Sequence, residues 1–178
     1  MLKKIVIMFS LISIASSFYS PVFSENKAYD VNNVVFSPAN PLGVKYAESR
    51  VNEVAQLINE NKLLDARKKL VSLLEWLEDC TKYHTSLYQT LREVDGALAQ
   101  ADVEKDLALK FAVLRDQAKY KMGLVNLKEN KKTLAVDNFV NIVRSQPKTD
   151  LGFKAYEQLQ NMGFTYKVKL QGSQQEIN

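Results

Sequence analysis

Between Val44 and Gln146 the chain contains no proline, and Gly96 and Gly123 are the only glycines. Proline removes a backbone donor and glycine carries the largest backbone entropy cost, so a long run almost free of both, rich in Leu, Ala, Lys and Glu, predicts helix throughout. The class this implies is all-α. Apolar spacing divides the run. Val51, Val54, Ala55 and Ile58 share one helical face, Asn59-Glu60-Asn61-Lys62 interrupts it, and Ala66, Leu70, Leu73, Leu74 and Leu77 resume it, which is the pattern of a helical hairpin with a short polar turn.

The spacing further predicts a third helix from about His84 to Gln100, carrying Leu87, Leu91, Val94 and Leu98, and a fourth from about Val103 to Lys128, with Asp102 as its N-cap. A fifth follows the turn Glu129-Asn130-Lys131-Lys132 and places Ala135, Phe139, Ile142 and Val143 on one face before Pro147 stops it. Thr149 or Asp150 caps a sixth, with Phe153, Tyr156, Leu159 and Met162, and Gly163 suits its C-terminal cap. The domain is expected to run from 44 to 164. The tail, 165–178, alternates briefly at Tyr166, Val168 and Leu170, predicting a short extended piece and then a disordered end.

Glu60-Asn61-Lys62 with Ala66, Leu70 and Leu73 recurs as Glu129-Asn130-Lys131 with Ala135, Phe139 and Ile142, at a constant offset of 69 residues. That is close to twice the period of about 34 residues found in one class of helical repeats. From about Asp116 to Thr149 the order Met122-Gly123, Ala135, Phe139, Ile142 and Pro147 resembles the tetratricopeptide repeat, and residues of about 47–80 form a partial second unit through Ala66, Leu70 and Leu73. In that pattern Gly123 lets two helices approach, Ala135 sits where they cross, Phe139 and Ile142 fill the interface and Pro147 ends the second helix. Lys119 and Asn126 depart from it, standing where a large aromatic and a tyrosine are preferred. The resemblance implies antiparallel hairpins stacked as a short right-handed array of about six helices, with a concave surface that binds proteins or peptides.

The N-terminus reads as an address. Lys3 and Lys4 precede an apolar core from Ile5 to Ala15, too short to span a bilayer, and Val22 and Ser24 fit the −3 and −1 positions of a signal peptidase site. Residues 1–24 are therefore expected to be a bacterial secretory signal, cut near Ser24, followed by a flexible Asn-, Pro- and Ser-rich leader over 25–43. No cysteine near the cut offers a lipid anchor. Residues 1–24 hold two of the 24 basic side chains and none of the 20 acidic ones, so the exported chain is nearly neutral. A clustered positive excess suited to nucleic acid or an anionic membrane is not implied. Cys80 is the only cysteine, which excludes an intrachain disulfide in an oxidising compartment and leaves packing to stabilise the fold.

Chemistry-bearing patterns are sparse. Cys80 and His84 stand at i, i+4, but zinc needs three or four ligands, and a Cys–His dyad needs an orienting third group. There is no phosphate-binding Gly-rich loop, nucleophile elbow or paired-His metal motif. The expectation is a protein without catalytic residues, metal or cofactor. Trp76, Tyr83, His84 and Tyr88 cluster in the sequence as candidate groove residues, with Lys68, Lys69, Lys82 and Arg92 placed to meet peptide carboxylates. The reading is of an exported, non-catalytic scaffold or adaptor of the cell envelope, in the periplasm or outside the cell. The alternatives are a small periplasmic ligand-binding protein or enzyme with a pocket near Trp76–Tyr88, and a structural envelope subunit that self-associates through Phe111 and Leu114.

Overall fold

The computed structural model describes residues 40–166. The expected signal peptide, the leader up to residue 39 and the tail beyond Tyr166 lie outside the described residues. Those described form five helices and no strand: α1 Val44–Asn59, α2 Leu63–Leu91, α3 Leu98–Lys128, α4 Lys132–Ser145 and α5 Asp150–Asn161. The sequence spacing predicts six. The breaks expected between Leu77 and His84 and at Asp102 are both absent, and a break between Leu91 and Leu98 replaces them. Helix continues past Leu77 because nothing there stops it: the Thr81 hydroxyl donates to the Leu77 carbonyl at 2.8 Å and Thr85 to Thr81 at 2.7 Å, so both side chains bond within the helix rather than compete with it. The chain turns instead where Gly96 takes a left-handed conformation, φ +78°, beyond the reach of most side chains. Asp102 lies inside α3 and caps nothing.

α1 and α2 form one antiparallel hairpin, and the second half of α3 forms another with α4. Their turns are built alike. Asn61 and Asn130 both adopt left-handed φ, 58° and 60°. In the first turn the Lys62 N–H donates to the Leu57 carbonyl and Asn61 N–H to Ile58. In the second, Lys131 N–H donates to Asn126 and Asn130 N–H to Leu127. These paired bonds close each helix with a Schellman motif, Asn taking the place of the usual glycine. The same geometry recurs at the end of α5, where Gly163 has φ +73° and Phe164 N–H reaches the Leu159 carbonyl. Thr149 starts that helix, its hydroxyl accepting from Gly152 N–H at 3.1 Å.

Packing follows the repeated apolar positions. One core joins α1, α2 and α3 through Val51, Val54, Leu70, Leu77, Phe111, Ala118 and Val125, and a second joins α3, α4 and α5 through Ala135, Phe139, Ile142, Ala155 and Leu159. α3 contributes to both, so its buried residues occupy opposite sides, Leu114 and Ala118 toward α1 and α2, Tyr120 and Leu124 toward α4 and α5. Gly123 is the point of closest approach: a methyl group there would stand 2.6 Å from Phe139 Cε1. Ala66 and Ala135 are both fully buried, as their matching places in the two hairpins require.

Phe111 and Leu114 are 1% and 6% exposed, which removes them as a surface for self-association. Both lie on the side of α3 that faces α1 and α2. The large apolar residues that α3 does present are Leu98 at its start and Leu109 and Val113 farther along.

Candidate functional site

Where α1 leaves α2, the first hairpin opens into a cleft of about 460 Å³, lined by Pro41, Tyr46, Arg50, Glu53, Ser72, Lys69 and Trp76 over a floor of Val54 and Leu73. Helical spacing assembles it: Tyr46, Arg50 and Glu53 follow at i, i+4 and i+7 along α1, and Lys69, Ser72 and Trp76 at i, i+3 and i+7 along α2, so each set shares one face. Tyr46 meets Trp76 edge to face with centroids 5.8 Å apart, and Trp76 meets Phe111 in the same manner at 5.9 Å. This ladder holds the indole by packing on both sides while leaving part of it in the cleft.

The polar rim carries two cations and one carboxylate. Lys69 Nζ lies 2.8 Å from one oxygen of Glu53, and Arg50 Nη1 lies 2.6 Å from the other. Hydrogen bonding from Lys69 is the largest influence on the Glu53 carboxyl; burial opposes it, and the bond from Arg50 adds to it, so the group is held below its ordinary range. Arg50 also stacks over the Tyr46 ring, 4.8 Å from guanidinium carbon to centroid. Its Nε is enclosed and has no acceptor among the described residues. The rim therefore keeps a surplus positive charge and one unused donor beside an aromatic wall.

Of the candidate residues named from sequence, Trp76 and Lys69 line this cleft. Because α2 is continuous, those from Lys82 onward are carried away from it along the helix, and Lys68, beside Lys69, does not line it. Tyr83 points to solvent. His84 is half-buried, stacked on Phe111 at 5.2 Å, with Nδ1 2.6 Å from Glu104 Oε2. Tyr88 lies under Arg92 and Lys105 at 5.5 and 5.9 Å. Lys82 faces Glu78 at 3.9 Å, and Lys68 is exposed. Cys80 is buried, and burial followed by the charge of Asp79 raises its thiol pKa, the opposite of what a reactive cysteine needs. Among the described residues no group of three His, Cys, Asp or Glu side chains is arranged to hold a metal ion.

Sequence reasoning missed Tyr46, Arg50, Glu53 and Ser72. The signal was the polar and aromatic stripe at 46, 50 and 53, which lies beside the apolar stripe used to place α1. It also missed Asp116, a carboxylate buried at 2% exposure. Asp116 accepts from Arg115 Nε at 3.0 Å, Ser145 Oγ at 2.8 Å and Gln146 Nε2 at 2.7 Å, tying α3 to the end of α4. These donors satisfy the carboxylate in place, giving it a structural task.

Two further grooves flank α3. One, about 440 Å³, runs between α1 and α3, and the other, about 380 Å³, lies between α3 and the segment joining α4 to α5. All three depressions are open to solvent, and neither Cys80 nor His84 lines any of them. No helix among the described residues is long and apolar enough to cross a membrane. No protein-family model, curated protein or solved structure matches the chain. The class its geometry defines is an all-helical protein of packed antiparallel hairpins with open clefts at the helix junctions.

Proposed function

We propose that the chain is an exported, non-catalytic scaffold of the tetratricopeptide-like kind, which holds a segment of a partner protein in the α1/α2 cleft. The observation that carries this reading is the composition of that cleft: Trp76 and Tyr46 form an aromatic wall, and Arg50 and Lys69 share the single carboxylate of Glu53. An apolar side chain of an extended segment packs against the wall, and an adjacent carboxylate meets the surplus positive charge of the half-exposed Arg50 and Lys69. Two features favour a scaffold over a small-molecule carrier or enzyme. The depressions are open grooves, and no nucleophile–base pair lines them. The matching turns at Asn61 and Asn130 and the buried pair Ala66 and Ala135 support the repeat reading. The location outside the cytoplasm rests on residues 1–24.

Trp76 is the only tryptophan, so its fluorescence reports the cleft directly. Peptides selected from a random library against the purified chain are expected to change this emission saturably, and Lys69→Glu is expected to weaken the change. Selected binders that leave Trp76 emission untouched would place binding elsewhere and overturn the assignment of the cleft.

A further inference from the structure

The surface between α1 and α3 carries an open groove beside exposed apolar side chains. Leu109 and Val113, 58% and 44% exposed, stand one turn apart on α3 as a single apolar ridge. Both line the groove on the α1 side and the groove on the α4–α5 side, so the ridge has a depression along each flank. Helices pack by seating such ridges in such grooves. A surface that offers both is complementary to itself under a two-fold rotation, the symmetry of most soluble homodimers.

Charge selects the same arrangement. The α1/α3 groove is bordered by Val44, Glu48 and Asn52 from α1 and by Lys110, Val113 and Gln117 from α3. α1 and the second half of α3 run parallel, since the turns ending both lie at the start of α2, the second bound there by Arg67 to Glu129. Lys110 precedes Val113 by about one turn, and Glu48 follows Val44 by about one turn. A two-fold axis between the ridge and the groove, at the height of Val113, reverses α3 and carries Lys110 of one copy along the groove towards Glu48 of the other, twice in the interface. Among the described residues Glu48 is otherwise held only by the exposed Lys45 at 3.5 Å, a contact of little energy to exchange.

We propose that two copies pair across this axis, the Leu109–Val113 ridge of each seated in the α1/α3 groove of the other. The α1 residues used, Val44, Glu48 and Asn52, lie on the side opposite Tyr46, Arg50 and Glu53, so both α1/α2 clefts stay open. The dimer presents two equivalent sites, which raises avidity for a partner carrying two copies of the bound segment. Pairing does not depend on what the cleft binds.

Sedimentation of the natively purified chain tests it. The mass is expected to rise from monomer towards dimer with concentration, and Leu109→Glu to weaken association about tenfold or more. Glu48→Lys and Lys110→Glu are each expected to weaken it, and the double charge exchange to restore it, a rescue that misfolding does not give. A monomer at every concentration overturns the proposal, as when the segment before Asn40 or another protein covers the groove. So does a dimer indifferent to Leu109→Glu, or a double exchange that fails to rescue.

Discussion

Arg67, near the start of α2, donates to both carboxylate oxygens of Glu129, at 3.2 Å from Nε and 2.6 Å from Nη2, and so ties the turn end of the first hairpin to the turn of the second. The same Nη2 lies 2.6 Å from Asn126 Oδ1, and Asn126 is buried. The departure from the repeat pattern at Asn126 thus has a physical reason: a buried amide oxygen meets the guanidinium that joins the two hairpins.

Arg67→Gln is expected to destabilise the fold by about 1–2 kcal/mol at neutral pH, through lost charge-assisted bonds at a partly exposed site. Bonds from Arg67, then Lys131, lower the Glu129 pKa from its ordinary value of 4.5. A lowered folded pKa gives stability that is fully present above that ordinary value and lost as pH falls through the folded one. The difference between the parent chain and Arg67→Gln, read from denaturant melts, is therefore expected to shrink below about pH 4.5.

Gly123→Ala forces a methyl group against Phe139 Cε1, with 2.6 Å available. A loss of about 1–3 kcal/mol is expected from this overpacking, and Phe139→Leu in the same chain is expected to recover part of it. Thermal melts of the two single variants and the double variant check the coupling. Additive losses would mean that Gly123 is needed for something other than room.

The left-handed Asn61 and Asn130 define a third expectation. Replacing either by Ala is expected to cost about 1 kcal/mol, since Ala lacks the local hydrogen bonding that eases Asn into this region. Glycine at the same positions is expected to be neutral or mildly stabilising. Equal effects of Ala and Gly would remove backbone conformation as the reason for the repeated Glu-Asn-Lys.

Much of this fold was readable because the breakers are few and the repeat is local. Glu-Asn-Lys marked both turns, and Ala66, Leu70, Ala135 and Phe139 marked the buried faces. The middle was misdivided for a related reason. α3 packs on two sides, so its apolar residues give no single phase, and only the conformation of Gly96 placed the break. The cleft was half readable. Lys69 and Trp76 came from the aromatic and basic content of α2, but Tyr46 and Arg50 meet them only through the hairpin turn, a long-range pairing that no local pattern carries. Tyr83, Tyr88 and Arg92 were near Trp76 in sequence and were carried from it by the unbroken helix.

Export is tested at the N-terminus. Expressed in a bacterium with its full sequence, the chain is expected to yield a product beginning at Glu25, and Lys3→Glu with Lys4→Glu to slow its appearance outside the cytoplasm. N-terminal sequencing and fractionation read both. A product that retains Met1 would contradict the secretory reading.

The central claim is that the α1/α2 cleft holds a partner's segment. A photo-crosslinking residue in place of Ser72, between Lys69 and Trp76 on the cleft wall, examines it in intact cells. The account predicts one discrete adduct with another protein, reduced by Trp76→Ala and by Lys69→Glu, and absent when the photo-crosslinker replaces the exposed Tyr83 on the same helix. An adduct of equal yield from both positions, or one indifferent to Trp76 and Lys69, would contradict it.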